Sequence, residues 1–189
     1  MMIKDMIERS RSCRRFYENY KIEEKTLKDL VNLARLSPSS GNLQPLKYML
    51  SSKFSKNDLI FPALAWAGYL KDWPGPQKGE RPSAYIIILG DNTISESFDC
   101  DCGIVSQSIL LGAVEKSLGG CIIGSIDRVL LRKNLNVPER YNILLVIALG
   151  KPKEKIVLER IVKDNVKYFR DNNDIHHVPK RSLDDIIID

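Results

Sequence analysis

The sequence predicts a single α+β domain in which helices pack on buried β-strands. Two continuous apolar runs, at 83–89 and 141–149, are typical of strands that are buried on both faces. Apolar residues at helical spacing instead mark the stretches 23–37 and 99–118. The chain has 189 residues, which is one domain's worth. We therefore expect residues 1–189 to form one domain.

The composition excludes several classes of protein but does not choose a function. Hydrophobic residues make up 43% and charged residues 28%, which is unlike disordered, collagen-like or disulfide-scaffold chains. The 29 Lys and Arg against 24 Asp and Glu leave a net charge of +5. Such a mild excess suits an anionic small molecule as well as a polyanion. No apolar stretch resembles a signal peptide or a membrane span, so we predict a cytoplasmic protein with reduced thiols.

The N-terminal half alternates helices with one strand. A helix that begins near Glu23 should stop before Pro38, because the residue preceding a proline leaves helical space. The other predicted elements are a short helix around 3–7, a polar loop at 37–45, a strand at 47–51, helix-like spacing at 57–70 and a Pro/Gly-rich loop at 72–82.

The C-terminal half continues from the buried strand at 83–89. The elements predicted there are a long helix at 99–118, a brief strand at 121–123, a short helix capped by Asp127 and the strand at 141–149. Residues 151–189 are charged and weakly periodic, apart from an apolar finish at 186–188. Since such a tail is not expected to fold alone, it packs either on the body or on a partner subunit.

Common catalytic motifs are absent. There is no G-x-x-x-x-G-K-[ST] loop, and no G-x-G-x-x-G stands between a strand and a helix. Cys100, Cys102, His176 and His177 lack the paired spacing of a zinc site, so we predict no metal. A cysteine nucleophile would need a partnered base, which two adjacent tail histidines do not supply. We interpret most of the cysteines as small buried hydrophobic residues and the histidines as part of a polar tail.

A basic string follows the first helix. Arg11, Ser12, Cys13 and Arg14 begin the string RSCRRF, which places three guanidinium groups within six residues. Planar guanidinium forks suit phosphate, because two parallel hydrogen bonds can meet two oxygens. Taken alone, the string favours a solvated basic turn over a phosphate site.

The loop at 37–45, SPSSGNLQP, is the second unusual string. It offers hydroxyls, side-chain amides and free backbone amides between two prolines, a set that can bind a flat heterocycle rich in carbonyls and ring nitrogens. Taken alone, it could also be a simple polar connection. Its candidate binding residues are Pro38, Ser39, Ser40, Asn42 and Gln44.

Together these strings resemble the nitroreductase family of FMN flavoproteins. RSCRRF and SPSSGNLQP are followed by DCGIVSQ at 101–107, LGGCIIG at 118–124, LGKP at 149–152 and VPKR at 178–181. The resemblance runs from about residue 3 to residue 181. It implies a central, mostly antiparallel sheet flanked by helices, in an intertwined homodimer whose C-terminal arm, about 151–189, packs on the partner subunit.

The resemblance also implies two FMN sites at the subunit interface. Arg11 would bind the phosphate and Arg14 the polar edge of the isoalloxazine, while the loop at 37–45 would come from the other subunit. Backbone amides near the flavin N5 and a second phosphate contact complete the implied site. The cofactor-binding residues are then Arg11, Ser12, Cys13, Arg14, Pro38, Ser39, Ser40, Asn42, Gln44, Ile122, Ile123, Gly124, and Lys180 or Arg181.

The implied activity is a ping-pong oxidoreductase. NADH or NADPH would give hydride to FMN and be replaced by a small acceptor, such as a nitroaromatic, a quinone or a related compound. The flavin carries this chemistry, so no protein acid or base is required. The alternatives are a protein of the same fold that sequesters or degrades flavin, and a polyanion binder that uses Arg9, Arg11, Arg14 and Arg15.

Two departures from the family pattern bear on the substrate. Many members carry arginine where this chain has Ser10, and Arg9 is a candidate substitute. Many are also longer, with a helical excursion over the flavin. The corresponding region here is 65–80, and its aromatic residues Trp66, Tyr69 and Trp73 form either a substrate lid or part of the core.

Overall fold

The computed structural model describes residues 2–188, which form a four-stranded antiparallel sheet with helices on both faces. The strands are β1 (Leu46–Ser51), β2 (Ala84–Asp91), β3 (Gly119–Ile123) and β4 (Tyr141–Gly150). Their order in the sheet is β1-β2-β4-β3, and every neighbouring pair is antiparallel. The predicted α+β class with an antiparallel sheet is confirmed.

The two central strands are the two predicted apolar runs. All eight residues of β2 are buried, and Ile87 lies opposite Val146 of β4. Alternate side chains enter two separate cores, because successive residues of a strand point to opposite faces. Ile86 and Ile88 pack in one core, while Tyr85 and Ile87 pack in the other.

The described residues contain five α-helices around the sheet. They are α1 (Ile3–Arg9), α2 (Glu24–Leu36), α3 (Phe54–Ile60), α4 (Asp99–Glu115) and α5 (Arg128–Leu135). α2 and α4 pack closely because Gly112 of α4 has no Cβ, which would lie 2.3 Å from Leu33 Cδ1. As predicted, Asp127 caps α5, and its side chain accepts a hydrogen bond from the Leu130 N–H at 2.9 Å.

The prediction of helical structure throughout 57–70 is wrong. α3 ends at Ile60 and is followed by only one 3₁₀ turn, Phe61–Ala63. Pro62 explains the break, because it lacks the N–H that a continuing α-helix would need. Beyond the turn, Leu64 is extended and pairs with Ile126 in an antiparallel bridge.

The C-terminal region contains a second, three-stranded sheet. Its strands are β5 (Ile156–Arg160), β6 (Phe169–Arg170) and β7 (His176–Lys180), in the order β5-β7-β6. This sheet packs on the chain's own N-terminal segment, because His176 of β7 lies 3.2 Å from Arg14, and the Lys153 N–H just before the sheet donates to the Arg15 carbonyl at 2.9 Å. The implied exchange of residues 151–189 with a partner subunit stays a prediction, and residues 1 and 189 lie outside the described residues.

A buried carboxylate joins three separate segments beside this second sheet. Glu80 accepts two hydrogen bonds from Arg15, each 2.7 Å long, and its Oε1 lies 3.0 Å from Lys153 Nζ. The hydrogen bonds from Arg15 hold the pKa of Glu80 at about 2, below its ordinary value of 4.5. The N-terminal segment is therefore fixed to the loop before β2 and to the start of the C-terminal region.

We expect Glu80→Gln to lower the free energy of unfolding by about 3 kcal/mol at pH 7, since it removes the buried carboxylate that accepts two hydrogen bonds from the largely buried Arg15. The folded-state pKa is lowered, so this contribution is present above pH 4.5 and is lost as the pH falls towards 2. Urea titrations at several pH values should show the two proteins converging in acid.

Glu8→Gln is the matched control, because Glu8 forms an exposed pair with Lys4 at 3.9 Å. Its removal should change the stability by less than about 1 kcal/mol. An equal loss in both variants would contradict the structural role of Glu80.

Candidate functional site

The basic string lies along the edge of the main sheet. Ser12 forms a parallel bridge with Gly120 of β3, and the Cys13 N–H donates to the Gly120 carbonyl at 2.9 Å. Gly120 is required at this crowded position, because a Cβ there would lie 2.7 Å from the Ala148 carbonyl oxygen. The predicted basic segment is thus placed beside the predicted strand at 121–123.

A buried glutamate fixes the direction of the basic segment. Glu154, whose side chain is 1% exposed, accepts hydrogen bonds from the backbone N–H of Arg14 and, at 3.2 Å, from that of Arg15. Its other oxygen accepts from Arg170 at 2.8 Å. One carboxylate therefore ties the basic segment to the C-terminal sheet.

The guanidinium of Arg14 is buried against neutral groups. Its Nη1 lies 3.2 Å from the Ser12 carbonyl oxygen and 3.2 Å from His176 Nε2, and its Cζ lies 4.7 Å from the centre of the Tyr168 ring. Arg14 is only 8% exposed. Within residues 2–188, no carboxylate forms an ion pair with this side chain. Its positive charge is therefore available to an anionic or electron-rich ligand.

A cavity of about 250 Å³ opens beside Arg14. Gln107 of α4 and the tail residues Tyr168 and His176 form part of its wall. The cavity brings together five of the predicted cofactor-binding residues. These are Arg11, Ser12, Arg14, Ile122 and Lys180.

Arg11 stands where this cavity meets a larger one of about 550 Å³. Its Nη2 donates to the Ile7 carbonyl at 2.8 Å, and burial lowers the pKa of its guanidinium. The Nε of Arg11 is buried and has no partner within residues 2–188. A partly desolvated cation with an unused donor is suited to an anionic ligand.

The polar loop at 37–45 is held by a carboxylate of α4. Asp101 accepts hydrogen bonds from Ser39 Oγ at 2.5 Å and from the Ser40 N–H at 2.8 Å. Ser39 Oγ in turn accepts from the Gln44 N–H at 2.9 Å. Asn42 and Gln44 have positive φ angles of 55° and 53°, so the loop turns sharply on this anchor. These hydrogen bonds give the loop a defined conformation.

The two predicted halves of the site do not meet within one chain. Pro38, Ser39 and Gln44 line a separate cavity of about 280 Å³, together with Asp101. Gln107, at the first cavity, follows Asp101 by six residues of α4, which is about 9 Å along the axis and a different helix face. The implied completion of the site by a second subunit stays a prediction.

The remaining predicted cofactor residues differ in their surroundings. Ile122 is 40% exposed and Gly124 is exposed, whereas Ile123 is buried. The Cys13 thiol donates to the Arg15 carbonyl at 3.4 Å, and burial raises its pKa. Arg181 forms an ion pair with Asp164 at 2.9 Å and does not line either cavity.

The three candidate lid aromatics pack against other parts of the chain. Trp66 lies 5.9 Å from Phe61 and joins one of the two cores. Tyr69 packs on Tyr168 at 4.9 Å, and the guanidinium of Arg170 lies 4.4 Å from the Trp73 ring. Tyr69 and Trp73 therefore support the segment that walls the first cavity. Their role as a substrate lid stays a prediction.

The sequence did not predict two residues that contact the basic segment, and both lie in the C-terminal tail. Glu154 shows no local signal, because it acts by accepting hydrogen bonds from backbone 139 and 140 residues away. The interpretation of His176 as a polar tail residue is wrong, since it is 1% exposed. Strand alternation could have separated it from His177, which faces Glu159 and Asp171.

The polyanion-binding alternative loses support from the same contacts. Arg15 is engaged by Glu80 and Asp174, and Arg14 is buried. Two of the four arginines that this alternative needs therefore face inward. Within residues 2–188, no helix has the length and apolarity to cross a membrane, and no three His, Cys, Asp or Glu side chains cluster as metal ligands.

Comparison with known proteins identifies the family. The model of the nitroreductase family matches residues 7–151. A protein of Archaeoglobus fulgidus, provisionally named NADH dehydrogenase/NAD(P)H nitroreductase, is 27% identical over 149 residues, covering 75% of this chain and 80% of that protein. An oxygen-insensitive NADPH nitroreductase of Helicobacter acinonychis is 27% identical over 184 residues, covering 78% and 86%.

Solved structures share the fold. A nitroreductase family protein of Streptococcus pneumoniae superimposes with a TM-score of 0.71 at 16% identity, covering 100% of both chains. An FMN-dependent nitroreductase of Clostridium difficile gives a TM-score of 0.63 at 22% identity, covering 90% of this chain and 99% of that one. This α+β chain with a cation-lined sheet edge belongs to the nitroreductase family.

We expect Asp101→Asn to release the loop, because an amide cannot accept both hydrogen bonds with the strength of a carboxylate. The free energy of unfolding should fall by about 1–3 kcal/mol. Hydrogen exchange of the Ser40 and Gln44 amides should become faster. Asp99→Asn, an exposed change in the first turn of α4, is the control and should leave this exchange as it is. Unchanged exchange in the Asp101 variant would contradict the assigned role.

Proposed function

We propose that this protein is an FMN-dependent oxidoreductase that takes reducing equivalents from NADH or NADPH. The observation that carries the proposal is the cavity at the edge of β3, where Arg11, Arg14 and Lys180 converge beside Ser12 and Ile122. The names of the Archaeoglobus, Helicobacter and Clostridium difficile proteins support the same activity.

The residues of this cavity fit FMN in charge and in donor type. The unused Nε of Arg11 and the ammonium of Lys180 suit the dianionic phosphate. The uncompensated guanidinium of Arg14 suits the carbonyl-rich edge of the isoalloxazine. The backbone around Ile122, Ile123 and Gly124 at the end of β3 would face the reactive edge of the ring.

Each protein group binds or orients rather than reacts. When bound, FMN would supply the redox chemistry, the transfer of hydride through N5 from NADH or NADPH to the acceptor, and the acceptor would take its proton from water. Arg14 would favour the anionic reduced form of the ring through its positive charge. A ping-pong sequence follows, because reductant and acceptor would use the same face of the ring in turn.

A second copy of the chain would complete the site. Individual apolar side chains at the surface of α2 and α4 are exposed, which is suited to a homodimer contact. They include Leu36 and Ile104. The loop anchored by Asp101 lies beside this surface and would contribute Pro38, Ser39, Ser40, Asn42 and Gln44 to the partner's cofactor.

The acceptor would be a small, flat molecule such as a nitroaromatic, a quinone or a related compound. Trp66, Tyr69 and Trp73 would border its approach, and their packing against Phe61, Tyr168 and Arg170 favours a fixed border over a mobile one.

The test is the visible spectrum of the purified protein between about 350 and 500 nm, followed by anaerobic addition of NADH or NADPH. We expect a yellow protein that bleaches within seconds to minutes and recovers its colour with a quinone. A colourless protein that cannot be reconstituted with FMN would overturn the proposal. A yellow protein that neither nucleotide bleaches would instead be a flavin-sequestering or flavin-degrading protein.

Lys180 and Arg181 should differ in their contribution to FMN affinity. Lys180→Ala removes a cation that lines the cavity and should raise the Kd for FMN about 10-fold or more, the loss of one charge-assisted hydrogen bond. Arg181→Ala removes a partner of Asp164 and should change the Kd less than about threefold. Fluorescence titration of the apoprotein measures both. Equal losses would contradict the assignment of the phosphate to Lys180.

A further inference from the structure

His176 is the histidine in β7 whose side chain lies against Arg14. Its Nε2 is 3.2 Å from Arg14 Nη1, and the residue is 1% exposed. A guanidinium can only donate, so Nε2 must accept and carries no proton. The imidazole is then neutral, with its proton on Nδ1.

The surroundings of His176 keep it neutral. Burial lowers its pKa to about 4, against the opposing effect of Glu154. The positive charges of Arg14 and Arg170 lower the pKa further, and so does His177. The Tyr168 ring packs at 5.3 Å from the imidazole. His176 therefore gives Arg14 an acceptor without giving it a counter-charge.

The choice of histidine is not explained by packing. Its Nδ1 is buried without a partner within residues 2–188, which costs free energy that an apolar ring of similar size would avoid. A carboxylate at this position would bind Arg14 more strongly but would neutralise it. Only a neutral acceptor both holds the guanidinium and leaves its charge in place.

We propose that His176 is a positioning residue that holds Arg14 as an uncompensated cation beside the flavin ring. The inference rests on the proposed FMN site and explains how that site would set the reduction potential of the bound FMN. A cation held at the ring stabilises the anionic reduced form over the neutral oxidised form, so the potential rises.

Three substitutions of His176 separate its effect on the position of Arg14 from its effect on the charge around Arg14. His176→Gln keeps a neutral acceptor, His176→Phe removes the acceptor, and His176→Glu adds a counter-charge. His177→Gln is the matched control on the same strand, because His177 faces Glu159 and Asp171 instead of Arg14. Thermal unfolding of each variant checks that it is folded.

The main readout is the midpoint potential of the bound FMN, measured by equilibration with a reference dye. His176→Glu should weaken binding of reduced FMN about 10-fold more than that of oxidised FMN, which lowers the potential by about 30 mV. His176→Phe should shift the potential in the same direction by less. In His176→Gln and His177→Gln, the ratio of the affinities for reduced and oxidised FMN should stay within about threefold of the wild-type ratio. Equal potentials in all folded variants would overturn the inference while leaving the FMN site intact.

A second readout is independent of FMN. Nitrogen-15 NMR of the protein without cofactor reports which ring nitrogen of His176 carries the proton. We expect an unprotonated Nε2 at pH 7, and Arg14→Met should perturb its shift. A proton on Nε2 would overturn the inference, whatever FMN does. Failure of the wild-type protein to bind FMN would instead overturn the proposed function, and with it the role assigned to His176.

Discussion

The arrangement of the candidate site depends on one buried carboxylate. Glu154 accepts two backbone N–H groups of the basic segment and one guanidinium from β6. Removing charges from water is unfavourable unless each is paired and hydrogen-bonded, and here the carboxylate has three donors. The contact fixes the path of residues 13–15 and docks the C-terminal sheet in the same place. Without it, neither wall of the first cavity would have a defined position.

The directions of the Arg14 and Arg15 side chains follow from that contact. With the segment fixed beside β3, Arg15 points to Glu80 and contributes to stability. Arg14 points the other way, towards His176 and Tyr168, and keeps its charge. Arg15 therefore contributes to stability and Arg14 to the cavity, because the side chains of an extended chain alternate between two directions. Arg11 and Lys180 then add their charges on the cavity side.

Local patterns in the sequence predicted the main sheet and its helices but not the contacts that shape the site. The apolar runs of β2 and β4 and the spacing in α2 and α4 are local signals, and they are confirmed. The helix predicted through 57–70 is wrong beyond Ala63, because Pro62 lies in the turn that ends the helical segment.

The strands of the C-terminal tail were not predicted, for a different physical reason. Its strands have two to five residues and mixed polarity, so they leave no periodic pattern. Glu154 and His176 act across 140 and 162 residues of chain, a separation that a local pattern does not record. The basic string and the polar loop could be proposed from residue type alone, whereas their placement on different faces of α4 could not.

The central claim is that the FMN site is shared between two copies of the chain, and a mixed-subunit experiment tests it most directly. One variant carries Arg11→Ala with Lys180→Ala, and a second carries Ser39→Ala with Asn42→Ala. Each variant alone should bind little FMN. Co-expression with two different tags should yield a mixed dimer that holds about one FMN, because one of its two sites then contains no substitution. A mixed dimer that binds no more FMN than its parents would contradict the account, since it would place the whole site within one chain.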